Sequence, residues 1–385
     1  MITTYCSNIG HVSADEWDRC VPPEQPLLRH ANFHALEHSG IACPSAGFTP
    51  SHVVLRDEAG RIAAIAPAYI KQHSKGELGV DLGLAMAYQR MCGSYYPKLQ
   101  VEIPMTPFAG ARLLVRPDVP RQGAVRALIS ALQQRAQEIG ASSVHITFMA
   151  DGFRPPELDE SDFTATESNT YMWQAHTDRC FEEFLGRMAS ANRYEIRRER
   201  KLAQAEGFGF RRFTGPEITA EFAERFFPLY AENFTRHQGV PWFNEEYFRQ
   251  LFSSLSEFLA LDVALIDDEW VAAALTPHGG STGQVLYWGQ SGRAKYLHFE
   301  MVIYRSIEYA LATGITRLDI GAMGAHKAPR GLICTSVNHG LWFRDPAFKP
   351  IVQAASDRRK VAACTERERE LGRLPFRRLP QKSLA

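Results

Sequence analysis

Two stretches carry side chains of the kinds that move protons. YWGQSGRAKYLHFE, from Tyr287 to Glu300, leaves a run of strand-formers through a glycine-containing loop and enters a helix near Leu297. His298 and Glu300 fall in the first turn of that helix. The first N–H groups of a helix lack internal partners and carry partial positive charge, which suits an anion or a developing oxyanion. An imidazole or carboxylate placed there could take a proton from an attacking amine. Complementing the helix end is an equally sufficient reason for Glu300. Tyr287 could donate to an oxyanion, and Trp288 beside it could wall a substrate. The second stretch, GAMGAHKAPRG, sets His326 and Lys327 side by side among glycines just beyond a strand. Loops in that position line the crevices of open α/β sheets. Histidine titrates near neutrality and lysine holds a carboxylate or phosphate. An ordinary solvated loop would read the same way.

Three further groups are candidates for binding. The helix RYEIRRERK places Arg193, Arg197, Arg200 and Lys201 at three- and four-residue spacings, a rail for phosphates or a salt-bridged surface shared with Glu195 and Glu199. TRHQGVPWF mixes Arg236 and His237 with Trp242 and Phe243, a combination that suits a substrate wall. In YYPKLQVEIPMTPFAGARLL, Pro104 and Pro107 interrupt the strand pattern, so that Tyr96, Lys98, Thr106 and Arg112 could reach a groove between the two halves of the chain. No GxSxG, HExxH or Walker loop is present, so direct transfer between two bound substrates fits better than a covalent intermediate or a metal.

The elements that must position these residues are written twice. HVVLRDEAGRIAAIAPAYIK (52–71) and LDVALIDDEWVAAALTPHGG (261–280) each alternate as a hairpin, turning at Asp57–Gly60 and at Asp267-Asp268. Each is followed by an amphipathic helix that feeds a strand, AVRALISALQQRAQEIGASSVHITF (124–148) and FEMVIYRSIEYALATGITRLDIG (299–321). Gly140 and Gly314 stand where a left-handed cap is wanted. Hairpin, extra strand, helix, strand, repeated once, predicts a duplicated mixed α/β unit. The expected division is 1–175, then 176–350 including the basic helix 188–207, then a C-terminal helix and tail over 351–385. Helices from the basic one through 255 form a section between the repeated pieces.

With 385 residues, 45% hydrophobic and 22% charged, the chain has the composition of a folded soluble protein. Its 43 basic and 43 acidic residues balance, so any attraction to nucleic acid or membrane must be local. Seven scattered cysteines without a CxxC or Cys/His cluster point to free thiols in a reducing cytosol. No leader pattern opens the sequence, and no apolar run approaches the roughly 20 residues of a membrane span.

Six motifs stand here in order: KxHSxGE, YYPKLxVxxPxTPxxGxRLL, RxxIRRER, RHxGxP, YWG followed by LHFE, and GxxGxHK. Together, from about His30 to Pro346, they resemble the FemAB-like, GNAT-fold family of bacterial acyltransferases associated with peptidoglycan biosynthesis or recognition. The resemblance implies tandem GNAT-like domains with a helical insertion. It also implies amide formation between an amine and an activated acyl or aminoacyl donor, often aminoacyl-tRNA. Other members are N-acetyltransferases. One departure stands out. Relatives read Gln-Gly-Glu-His-Lys where this chain has Met323-Gly324-Ala325-His326-Lys327, so both an amide and a carboxylate are missing, with Glu300 the spare carboxylate.

The donor follows from the loop after Tyr287. A GNAT acetyltransferase cradles the coenzyme A pyrophosphate in an Arg/Gln-x-x-Gly-x-Gly/Ala turn at this position. Gln290-Ser291-Gly292-Arg293-Ala294, followed by Tyr296 and Leu297, lacks that glycine spacing. The expectation is therefore an aminoacyl-tRNA co-substrate, its phosphates gripped by Arg193, Arg197, Arg200 and Lys201, with acyl-CoA as the alternative and no permanently bound cofactor. Glu300, His326 and Tyr287 are the expected catalytic groups. Tyr96, Lys98, Arg112, Arg236, His237, Trp242, Trp288, His298 and Lys327 are expected to bind substrate. A binder of cell-wall or sugar ligands without turnover is the other class the fold allows.

Overall fold

The computed structural model describes residues 1–75, 81–236, 239–292, 294, 296–322 and 324–376. His237 and Met323, and Arg293 and Lys295 of the loop before the Leu297 helix, lie outside the described residues. The chain forms two compact units, each assembled from separated segments: Met1–Ser168, Trp242–Leu255 and Ser336–Ala363 in the first, and Asn169–Pro241, Ser256–Thr335 and Cys364 onward in the second. The helices expected between the repeated pieces are divided. Ser190–Ala205 and Phe222–Arg236 belong to the second unit, and Glu245–Leu255 to the first.

In the first unit His52–Arg56 and Ile62–Ala66 pair antiparallel, Val53 opposite Ala66, around a turn closed by the Gly60 N–H on the Asp57 carbonyl. Gly60 takes the left-handed conformation that such a turn asks for. Lys98–Val101 lies parallel to Ser143–Met149, and helix Arg121–Glu138 makes the crossover a parallel pair requires. That helix buries Val125, Leu128, Ile129 and Leu132, a three- and four-residue stripe, against Leu99, Val144 and Ile146. Each such side chain taken fully from water is worth roughly 1.5–3 kcal/mol.

The second unit repeats the order. Leu259–Ile266 and Glu269–Gly279 pair antiparallel, and Asp267 and Asp268 both have positive φ (50° and 65°), as a two-residue turn that matches strand twist requires. Thr282–Gln284 then runs parallel to Arg317–Asp319. The crossover between them is Leu297–Phe299, a π-helical turn over Glu300–Tyr304, and Arg305–Thr313, ended by Gly314 with φ 78°. The duplicated hairpin–strand–helix–strand unit expected from the sequence is present.

Candidate active site

The parallel strands of the second unit part company partway along. Gln284 sits opposite Asp319, and the Val285 N–H still reaches the Asp319 carbonyl at 2.8 Å. The chain then turns to the other neighbour. Leu286 N–H bonds Leu275 O, and Tyr287–Gln290 pairs with Ala272–Leu275. On the far side the Ile320 N–H bonds Tyr171 O instead. Beyond Val285 and Asp319 the two backbones thus bond different partners, and their strand ends are no longer paired with each other. The Leu297 helix follows one strand end and the His326 loop the other.

Gly289 keeps the first strand end in place. A Cβ there would overlap the backbone of Leu229 and Tyr230 in helix Phe222–Arg236, so this glycine of the YWG motif serves a close helix–strand approach. The second strand end is held by Lys327. Its buried Nζ donates to the carbonyls of Ile320 at 2.7 Å and Gly321 at 2.9 Å, closing the strand end. Burial pushes the Lys327 pKa down to about 8, with Asp319 opposing. Asp319 is itself buried. Its Oδ1 accepts from Thr170 at 2.7 Å and from the Gly321 N–H at 2.8 Å, its Oδ2 has no hydrogen-bond partner among the described residues, and burial raises its pKa.

His298 and His326 come together. Their rings lie 6.0 Å apart, with Trp288 5.2 Å from His298 and Phe299 5.2 Å from His326. Burial, then neighbouring positive charge, pushes both imidazoles down to about 4, so each is neutral near pH 7. His326 Nε2 is shielded from solvent and has no hydrogen-bond partner among the described residues. Gly324, with φ 119°, makes room for that ring, because a Cβ there would collide with the imidazole. The loop is tied down from below by Arg330. It donates to the His326 carbonyl at 2.6 Å, pairs with buried Glu199, hydrogen-bonds Tyr304 at 2.9 Å and stacks 3.7 Å from the Phe299 ring centroid. Tyr304 also bonds Glu199. Reading the sequence missed this trio. Arg330 in HKAPRG was the visible signal, but its partner Glu199 lies 131 residues away.

Several expected site residues do other work. Glu300 is not an exposed base. It is 1% exposed and bound through both oxygens to Arg200, at 3.0 and 2.9 Å. Burial raises its pKa and the guanidinium restrains the rise. Arg200 also pairs with Glu308 at 2.6 Å and stacks on Phe181, so its donors are committed within the fold and not offered to phosphates. On the same helix Arg197 pairs with Glu182 at 2.5 Å, Arg193 bonds the Met188 carbonyl at 3.3 Å, and Lys201 is exposed. Arg236 bonds Glu232 at 2.9 Å and the Gln290 carbonyl at 3.0 Å, bracing the end of the Tyr287 strand. Tyr287 is buried 5.9 Å from the Tyr230 ring.

In the first unit, Lys98 and Arg112 do not reach an open groove, because both are buried. Lys98 Nζ lies 3.4 Å from His145 Nδ1, and Arg112 spends its guanidinium on the carbonyls of Ala111 and Phe108 at 2.8 and 2.6 Å. Burial pushes the Arg112 pKa down to about 10. Thr106 is likewise buried, bonded to the Pro104 carbonyl. Tyr96 bonds Ser74 and packs on Tyr95, and Trp242 is 39% exposed. Among the described residues no group of three or more His, Cys, Asp or Glu could hold a metal, and no helix is long and apolar enough to cross a membrane.

The same fold is found in solved structures of low sequence identity. The chain is similar to FemX (TM-score 0.57, 14% identity, 91% of this chain and 100% of that one). It is also similar to the C-terminal domain of a putative lysylphosphatidylglycerol synthetase from Agrobacterium fabrum (TM-score 0.53, 9% identity, 90% and 96% covered). A third similar structure is L-PGS from Bacillus licheniformis (TM-score 0.50, 11% identity, 85% and 95% covered). A search of curated proteins finds no match. These likenesses show a shared mixed α/β fold that spans nearly the whole chain. A family model, FemAB-like, described as peptidoglycan biosynthesis/recognition, matches residues 8–378, and the chain belongs to that family.

Proposed function

We propose that the protein is an N-acyltransferase, joining an activated acyl or aminoacyl group to an amine in a cleft between the parted strand ends of the second unit. The observation behind this reading is the parting of the strands at Val285 and Asp319, with neutral His326 and His298 and Lys327, its pKa lowered to about 8, at its lips. The donor carbonyl carbon would enter the cleft. The amine nitrogen attacks it, a C–N bond forms, and the bond to the leaving oxygen or sulfur breaks. The proton lost by the amine passes to His326 Nε2 and from there to the leaving group. Lys327, Tyr287 and N–H groups of the first helical turn are the candidates to stabilise the tetrahedral oxyanion. Aminolysis of an ester or thioester is already downhill, so holding the two substrates together supplies most of the acceleration.

The donor we favour is an aminoacyl-tRNA. One fold neighbour is a domain of a putative lysylphosphatidylglycerol synthetase, named for an amino acid joined to a lipid. The family description makes an amine of a peptidoglycan precursor the natural acceptor, and such a donor would place the reaction in the cytoplasm. With Arg197, Arg198 and Arg200 internally paired, Arg193 and Lys201 are the cations left on that helix for phosphate contact. Binding of charged tRNA should therefore weaken with salt, each duplex phosphate contacted adding about 0.9 to the log–log slope. A slope that halves or more in the Arg193→Gln, Lys201→Gln double variant is the expected result. A flat salt profile, with an acyl-CoA bound instead, would favour the small donor.

A further inference from the structure

The arginines of the C-terminal helix Lys349–Leu371 are not treated alike. Near its end, Arg369 and Arg373 both pair with Glu370. Arg358 and Arg359, about three turns earlier, have no acidic residue three or four places away, where Ala354, Ala355, Ser356, Val361, Ala362 and Ala363 stand. Neither forms an ion pair among the described residues, and Arg359 is half-buried, its pKa lowered by burial with no carboxylate to oppose the shift. A partly desolvated cation without a counter-charge is costly, and an anion relieves that cost.

A cavity of about 430 Å³ lies beside these two guanidinium groups, lined by Leu84 and Ala87 of helix Asp81–Met91 and by Ile351 and Ala355 of the C-terminal helix. It adjoins the apolar cluster of Tyr88, Tyr95, Phe343 and Phe348. Its size falls within the range of small-molecule sites, about 300–1,000 Å³. Apolar walls with two unpaired arginines at one side select a ligand with both characters. We propose that this cavity binds an amphipathic anion, an aliphatic chain against Leu84, Ala87, Ile351 and Ala355 whose terminal carboxylate or phosphate is held by Arg358 and Arg359. Planar guanidinium groups suit both headgroups through paired N–H donors. All of these residues belong to the first compact unit, and the readout is binding, so the proposal stands or falls apart from acyl transfer in the second.

Calorimetric titration of the full-length protein tests it with four probes: decanoate, decyl phosphate, decyltrimethylammonium and acetate. At least one decyl anion should saturate a single site with a dissociation constant below about 1 mM, and the tighter of the two identifies the headgroup. The decyl cation and acetate should bind at least tenfold more weakly. Arg359→Gln should weaken the anion about tenfold or more. Ala355→Trp, which fills the cavity, should abolish binding with the melting temperature unchanged; Ala87→Phe takes its place if that variant melts early. Absence of saturable binding by both anions, equal binding of the decyl cation, or affinity undiminished in Arg359→Gln and the filled variant would each overturn the assignment.

Discussion

Replacing Arg200 by alanine is expected to cost about 3–5 kcal/mol of stability, the usual penalty for stranding one member of a buried ion pair. Glu300, 1% exposed, would lose both hydrogen bonds of its bidentate contact, and Glu308 would lose its partner as well. The π-helical turn begins at Glu300, with the Arg305 N–H reaching back to its carbonyl, so the damage would fall on the crossover helix that feeds the cleft. Glu300→Gln keeps the shape and leaves Arg200 with Glu308, and should cost less, about 1–3 kcal/mol. Denaturant unfolding followed by circular dichroism measures both. If Glu300 were instead the catalytic base, Glu300→Gln would abolish turnover while leaving the unfolding midpoint nearly unchanged.

His326 behaves in the opposite way. His326→Ala should lower kcat by about 10²–10⁴ for loss of a general base, with a small change in stability, since its Nε2 holds no partner among the described residues. The pH profile carries the sharper signature. His326 is depressed to about 4, so its basic form is already present above that value, and the acid limb of kcat/KM should fall near pH 4 instead of 6.5. Lys327 loses its proton as pH rises through about 8, so a role for its charge at the oxyanion gives a basic limb there. The acid limb should vanish in His326→Gln and the basic limb in Lys327→Met. An acid limb that persists in His326→Gln would remove His326 from proton transfer.

Much of the frame was readable because it rests on local patterns. The two hairpins show as alternation around Asp-rich turns, and Gly314 marks the helix end by needing the left-handed region it occupies. The loop carrying His326 and Lys327 could be placed at a strand end for the same reason. What could not be read is which charges neutralise each other. Arg200 and Glu300 are 100 residues apart in sequence, as are many pairs that only tertiary packing brings together. A helix face rich in arginine looked like a phosphate rail because Glu182, Glu300 and Glu308 come to it from other elements. Lys98 and Arg112 looked like groove residues for a related reason. Alternation tells which side of a strand a residue faces, but not whether that side is covered, and here both are buried.

Acyl transfer to an amine in the second unit is the activity we propose. Incubating the pure protein with charged tRNAs and with acyl-CoAs, adding candidate amines, and following both donors and products by mass spectrometry tests it most directly. An amide formed from the aminoacyl-tRNA is expected, with the rate reduced at least a hundredfold in His326→Ala. Amide formation that His326→Ala leaves at full rate, or no discharge of any donor with any amine, would contradict it.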